Sequence, residues 1–134
     1  MIAVNSKIQA LMEAIAEHEG WLPPDPKTAA GGSRSYRNHN PGNLRASPYA
    51  HSIVDSFAVF RSDFVGYMAL HWDLMQKAQG NTVTGLNGQS SIRDLIYVWA
   101  PPSDGNLTEA YVQSVEKRMG VPSSTTLAEL FEIK

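Results

Sequence analysis

The stretch AEHEGW, residues 16–21, gathers two glutamates, a histidine, a glycine and a tryptophan where an apolar periodicity stops. Ile8, Leu11, Met12 and Ile15 recur at the spacing of an amphipathic helix. At about 100° per residue, Glu19 falls roughly 20° from Ile8 on the helical wheel, Glu17 roughly 180° and Glu13 about 140°. Glu19 alone therefore continues the buried stripe. A carboxyl group between an apolar helix face and a tryptophan loses water, which disfavours its ionised form and raises its pKa. The negative end of the helix dipole acts in the same direction. Such a group suits general acid catalysis near neutral pH. The same position would also serve a structural anchor paired with Arg34, Arg37 or Arg45, or a helix that frays by residue 17.

Other chemistries find less to work with. His18, His39, His51 and His71 are scattered and form no HExxH pair, so neither a zinc site nor any other metal or cofactor is expected. There is no cysteine, which removes thiol catalysis and disulfides, and no GxSxG elbow for a serine hydrolase. Asp25, Asp55 and Asp63 are the acids available as a second carboxylate, and each fits a turn or helix cap equally well. Residues 20–61 carry Lys27, Arg34, Arg37, Arg45 and Arg61 against Asp25 and Asp55. That local excess favours an anionic ligand or a solvated loop, whereas the overall charge of −2 argues against nucleic acid as a partner.

Positioning these residues requires a scaffold. With 134 residues, 43% of them apolar, the chain is long enough for one domain with its own core, and residues 1–134 are expected to form it. The first helix is expected over about residues 6–19, with Asn5 or Ser6 as its cap and Gly20 as its stop. From Gly20 to Ser56 the periodicity gives way to prolines and glycines, too long a stretch for an idle loop. Trp21, Tyr36, Leu44, Tyr49 and Ile53 make it too apolar for disorder, so a loop-rich lobe with a small β-hairpin near residues 33–60 is predicted. FAVF, residues 57–60, alternates like a strand. Val65, Met68, Trp72 and Met75 mark a second helix stopping near Gly80. Ile92, Leu95, Ile96 and Trp99 mark a third, closed by Pro101 and Pro102, and Leu107, Tyr111 and Val115 a fourth, ending at Gly120. Thr126 and Glu129 stand at capping-box spacing before Leu127, Leu130 and Phe131. The fold class is mainly α, of the α+β kind. No membrane-length apolar run and no leader of the secretory type are present, so no membrane insertion is expected.

A helix ending in a glutamate, then a loop-rich lobe, then several helices resembles the lysozyme-like superfamily of phage muramidases and lytic transglycosylases. NLTEAYVQSV, residues 106–115, is similar to the ETxxYVxxV segment of soluble lytic transglycosylases, with Thr108, Tyr111, Val112 and Val115 on the matching positions. YVWAPP, residues 97–102, stands where that family has its AYNAG segment. RNHNPGNLR (37–45), FAVFRSDFVGYMAL (57–70) and WAPPSDGN (99–106) resemble small phage-derived and prophage-encoded lysins of the same superfamily. Serine does not follow the glutamate, the GLMQ segment is replaced by NPGNL, and the TIGxGH hairpin of phage muramidases is missing.

The resemblance implies a lysozyme-like fold and cleavage of the β-1,4 bond between N-acetylmuramic acid and N-acetylglucosamine in peptidoglycan strands. Glu19 would be the acid/base, and Tyr111 would line the site beside it. Ser33, Ser35, Tyr36, Asn40 and Asn43 would contact sugar hydroxyls and amides, Arg37 or Arg45 would meet lactyl or peptide carboxylates, and Trp21 and Trp99 would stack on sugar faces. For Asn40 and Asn43, ordinary turn chemistry beside proline and glycine is expected ahead of sugar contact. One persuasive carboxylate favours a transglycosylase route over a muramidase. A non-catalytic phage structural or wall-binding protein on the same scaffold is the other alternative. The expected setting is synthesis in a cytoplasm and action on the wall after holin-type release or delivery in a virion, with phage particle components as further partners.

Overall fold

A computed structural model describes residues 5–21 and 33–133. Asp25 and Lys27 lie outside the described residues. The chain divides into two compact units, one made of residues 1–11 and 74–134 and the other of residues 12–73. The division falls inside two helices, α1 (Ser6–His18) and α3 (Asp63–Ala78).

In the first unit, Asn5 caps α1: its Oδ1 accepts the Ile8 N–H at 2.8 Å while its Nδ2 donates to the Leu130 carbonyl at 2.9 Å. One side chain thus satisfies an orphan donor of α1 and an acceptor near the chain's end. Helix α4 (Ile92–Trp99) starts on a Ser91/Asp94 capping box and α6 (Leu127–Phe131) on a Thr126/Glu129 box. The two starts are joined by an antiparallel bridge between Ser91 and Thr126, with the Leu127 N–H on the Ser90 carbonyl at 2.8 Å. After Pro101 and a 3-10 turn at Pro102–Asp104, α5 (Thr108–Met119) runs until Gly120 adopts φ +71° and stops it. Ile92, Leu95 and Ile96 of α4 and Tyr111, Val112, Val115 and Met119 of α5 are buried. Leu107, expected on the α5 stripe, is 82% exposed. The helix begins one residue later, and buried Thr108 takes the inward place, donating from Oγ1 to the Ala100 carbonyl at 2.6 Å.

In the second unit, α1 ends in a Schellman motif: the Trp21 N–H donates to the Ala16 carbonyl at 2.9 Å and the Gly20 N–H to the Glu17 carbonyl at 3.2 Å. Gly20 has φ +77°, which only glycine adopts without cost. The predicted hairpin is formed by β1 (Ser52–Val54) and β2 (Phe57–Val59), antiparallel with Val54 opposite Phe57. Its two-residue turn places Asp55 at φ +51° and Ser56 at φ +68°, the paired positive angles that match strand twist. β1 is exposed, whereas Phe57 and Ala58 of β2 are buried.

Two features of this unit depart from the sequence pattern. A one-turn helix, α2 (Arg34–Arg37), sits inside the lobe, its N-cap Ser33 accepting the Tyr36 N–H at 3.3 Å. The inward face of α3 keeps Met75 of the predicted Val65, Met68, Trp72, Met75 stripe but differs nearer the helix start. Gly66, Ala69 and Leu70 are buried here, and Met68 is exposed. Gly66 takes the inner face because the loop of residues 38–41 packs directly on it. Trp72 is half-buried, edge-on to Tyr49 with ring centroids 5.9 Å apart. Among the described residues, no helix is long and apolar enough to cross a membrane.

Candidate active site

Glu19 occupies the C-cap of α1, the last residue before the left-handed Gly20, and is half-buried. Its N–H donates to the Ile15 carbonyl at 2.8 Å, so the helical register of Ile8, Met12 and Ile15 carries through to it. The reversed turn then delivers Trp21, which packs edge-on against Tyr36 at 5.3 Å and Tyr67 at 5.8 Å between ring centroids. Such pairs contribute about 0.5–1.5 kcal/mol each beyond area burial. A carboxylate-bearing cap is thereby followed at once by a three-ring cluster drawn from the end of α1, from α2 and from α3.

Ser35 fastens the second helix to this corner. It is 1% exposed, and its Oγ donates to the Glu19 carbonyl at 3.1 Å while lying 3.2 Å from Ser33 Oγ. Ser33 and Ser35, expected to meet sugar, are thus used to build the site, with Ser35 withdrawn from any ligand. Tyr36 is half-buried and holds its ring on Trp21.

Asn40 departs most plainly from its predicted role. It is 0% exposed. Its Nδ2 donates to the Leu44 carbonyl and the Ala58 carbonyl, each at 2.9 Å, and its Oδ1 accepts the Leu44 N–H at 2.9 Å. All three bonds join the loop to itself and to β2, which leaves nothing for a sugar. Asn43, at φ +49°, donates its N–H to the Asn40 carbonyl at 2.9 Å and completes the turn; its Oδ1 is buried and accepts no hydrogen bond. Arg37 and Arg45 are both exposed.

A residue outside the expected set joins Arg45. The guanidinium carbons of Arg34 and Arg45 lie 4.4 Å and 4.5 Å from the centroid of one ring, that of Phe57. Arg34 was legible only as part of a basic stretch and as one of three possible anchors for Glu19. The ring that gathers the two arginines belongs to β2, and strand pairing is needed to bring it there.

The remaining acids are occupied otherwise. Asp63 starts α3, and its Oδ1 lies 2.7 Å from His39 Nδ1 in an exposed pair. Asp55 stands exposed in the hairpin turn. Burial holds the half-buried His71 below the usual imidazole range, toward its neutral form. Among the described residues, no three side chains of His, Asp or Glu come together as a metal site would require.

Trp99 and Tyr111 belong to the other unit. Trp99 closes α4, half-buried, with Lys77 Nζ 5.2 Å from its ring centroid. Tyr111 is 5% exposed within the apolar face of α5. Comparison with protein-family models, with curated proteins and with solved structures found no match to this chain.

Proposed function

We propose that the chain cleaves the β-1,4 bond between N-acetylmuramic acid and N-acetylglucosamine in peptidoglycan, by a lytic transglycosylase route with Glu19 as the single acid/base. The observation that carries this reading is the station of Glu19: a half-buried C-cap that continues an apolar stripe, bolted through its carbonyl to Ser35 and followed by the Trp21, Tyr36 and Tyr67 rings. The position costs helix stability, because the helix dipole disfavours negative charge there. The protonated form would avoid that cost, and it is the form a general acid needs.

In this scheme Glu19 gives its proton to the glycosidic oxygen as the bond from C1 of the muramyl sugar breaks. The substrate's own N-acetyl oxygen stabilises the positive charge at C1. Glu19, now a carboxylate, takes the proton of the 6-hydroxyl, whose oxygen bonds to C1 and closes a 1,6-anhydro ring. The proton lent is recovered and no water is consumed. The transglycosylase form is favoured over hydrolysis because Asp63 is engaged by His39 and Asp55 stands in the hairpin turn, leaving neither placed as a second carboxylate of the kind hydrolysis normally uses. The fold this reading implies is lysozyme-like.

Digestion of purified peptidoglycan by wild type and Glu19→Gln, with products identified by mass spectrometry, tests it. Anhydro-muropeptides are expected from wild type and none from the variant, which keeps the size and hydrogen bonding of the side chain. Reducing-end products would convert the reading to a muramidase. A folded Glu19→Gln protein with undiminished activity would remove Glu19 from the chemistry. Folded wild type that yields no products on several wall types would favour a non-catalytic wall-binding or phage structural role.

A further inference from the structure

We infer that Arg34 and Arg45, mounted on Phe57, form an oxyanion clamp that holds a carboxylate of the peptide stem carried by the glycan. The inference rests on the glycan-cleaving reading and gives its substrate a charged handle. The two guanidinium carbons are 4.4 Å and 4.5 Å from one ring centroid, so they lie at most about 9 Å from each other, and each guanidinium offers a planar set of N–H donors to a carboxylate. Both side chains are exposed, and among the described residues neither forms an ion pair with a carboxylate. The only acid in residues 33–61 is Asp55. Two like charges gathered on one ring with no carboxylate paired to them among the described residues repel each other, and an anion relieves the repulsion.

The mounting makes this a built site as opposed to two loose surface chains. Phe57 is 9% exposed on β2, and β2 is tied to the loop carrying Arg45 through the Ala58 N–H to Leu44 carbonyl bond at 2.9 Å and through Asn40. Stacking on an aromatic face orients a guanidinium while leaving its N–H edge available, so less rotamer freedom remains to be lost on binding. Arg34 adjoins Ser35, the residue bonded to the Glu19 carbonyl. The clamp and the proposed acid are therefore anchored to the same corner of the lobe, as a substrate whose peptide hangs from the muramyl sugar beside the scissile bond requires.

The test is calorimetric binding in a Glu19→Gln background, so that ligand survives, using three probes: a disaccharide-peptide with free carboxylates, the same compound with its carboxylates amidated, and a peptide-free chito-oligosaccharide. The acid form is expected to bind about tenfold or more tightly than the amide. That advantage should shrink to about twofold or less when Arg34→Gln and Arg45→Gln are combined. Arg34→Lys with Arg45→Lys, which keeps the charge but loses the planar stack, should retain part of it. Added salt should erode the advantage and leave binding of the neutral oligosaccharide unchanged. An undiminished acid preference in the glutamine pair, with the oligosaccharide still bound, would overturn the clamp alone. Displacement of the acid probe's share of the affinity only by a glycerol-phosphate polymer would reassign the clamp to a phosphodiester and overturn the carboxylate assignment. Failure of all three probes to bind would take down the glycan reading itself.

Discussion

Replacing Gly66 with alanine decides between two opposed forces, helix propensity and backbone contact. Gly66 lies inside α3, where glycine is worse than alanine by about 0.5–1 kcal/mol, so propensity alone predicts that Gly66→Ala stabilises the protein. The surroundings predict the reverse. An ideal Cβ at this position would overlap the His39 carbonyl oxygen and come within 2.9 Å of Pro41 Cδ. The opposing oxygen is backbone and cannot rotate away as a side chain would. His39 is itself held at φ +51°, between an Asn40 N–H bonded to the Ser35 carbonyl at 2.8 Å and an Asn38 carbonyl bonded by the Phe60 N–H at 2.9 Å. Overpacking of this kind costs about 1–3 kcal/mol and occasionally more. Taking the upper part of that range and subtracting the propensity gain leaves a net loss of about 2 kcal/mol.

Urea denaturation followed by far-ultraviolet circular dichroism measures this directly. With a slope of about 1–3 kcal/mol/M, the midpoint should fall by roughly 1 M. Gly105→Ala serves as a contrast, because Gly105 sits at φ +81° with nothing within 4 Å of an added Cβ, so its cost is conformational and not steric. Hydrogen exchange at residues 38–44 should accelerate in Gly66→Ala and remain unchanged in Gly105→Ala. A midpoint that rises in Gly66→Ala would refute the close approach of loop and helix, and with it the packing that explains why α3 turns Gly66 inward.

Asn40→Ala removes the side-chain partner of the Leu44 N–H and the Ala58 carbonyl, while the Leu44 carbonyl keeps the Ala58 N–H; at about 1–3 kcal/mol for each buried group left unsatisfied, the loss should reach about 2 kcal/mol or more, and a change under about 1 kcal/mol in equilibrium unfolding would show that the loop is organised otherwise. The exposed trio of Arg93, Tyr97 and Glu109 sets a pH dependence. Arg93 at 2.6 Å and the Tyr97 hydroxyl at 2.8 Å hold the Glu109 carboxyl below the ordinary glutamate range. A depressed carboxyl contributes stability that is present above its unfolded pKa and lost as pH falls through the folded value, so wild type should lose its margin over Glu109→Gln below about pH 4.5. Tyr97 is raised by its bond to Glu109, so its contribution is lost at the other end, as pH rises above about 10. Thermal melts across that range, with a margin that does not vary with pH, would refute the assignment.

The elements legible in the sequence are those whose signals are local. Gly20 after an apolar stripe announced the end of α1 and hence the station of Glu19, because a Schellman motif is closed by residues five apart or less. The Thr126/Glu129 box announced α6 for the same reason, and the Ile92, Leu95, Ile96 spacing before Pro101 announced α4, whose Ser91/Asp94 box went unread. What was hidden depends on partners remote in sequence. Asn40 looks like a turn residue beside proline, yet its bond to Ala58 spans eighteen positions. Arg34 and Arg45 look like scattered charges until β2 supplies the ring on which both rest. The α3 stripe held at Met75 and was displaced at Met68, because hydropathy does not register that Gly66 and Ala69 fit where a longer side chain cannot. Hydropathy measures what a residue gains by leaving water, while a closely packed helix face is chosen by what can fit. Where glycine interrupts a helix beside apolar residues, as Gly66 does beside Ala69 and Leu70, it marks the nearest approach of another backbone. Leu70 and Leu74 stay buried, while Phe64 at 72% exposure and Met68 at 37% face outward. The same steric rule gives the site its shape: the loop that carries Asn40 can lie on α3 only because position 66 has no side chain, and that loop leads directly to Arg45.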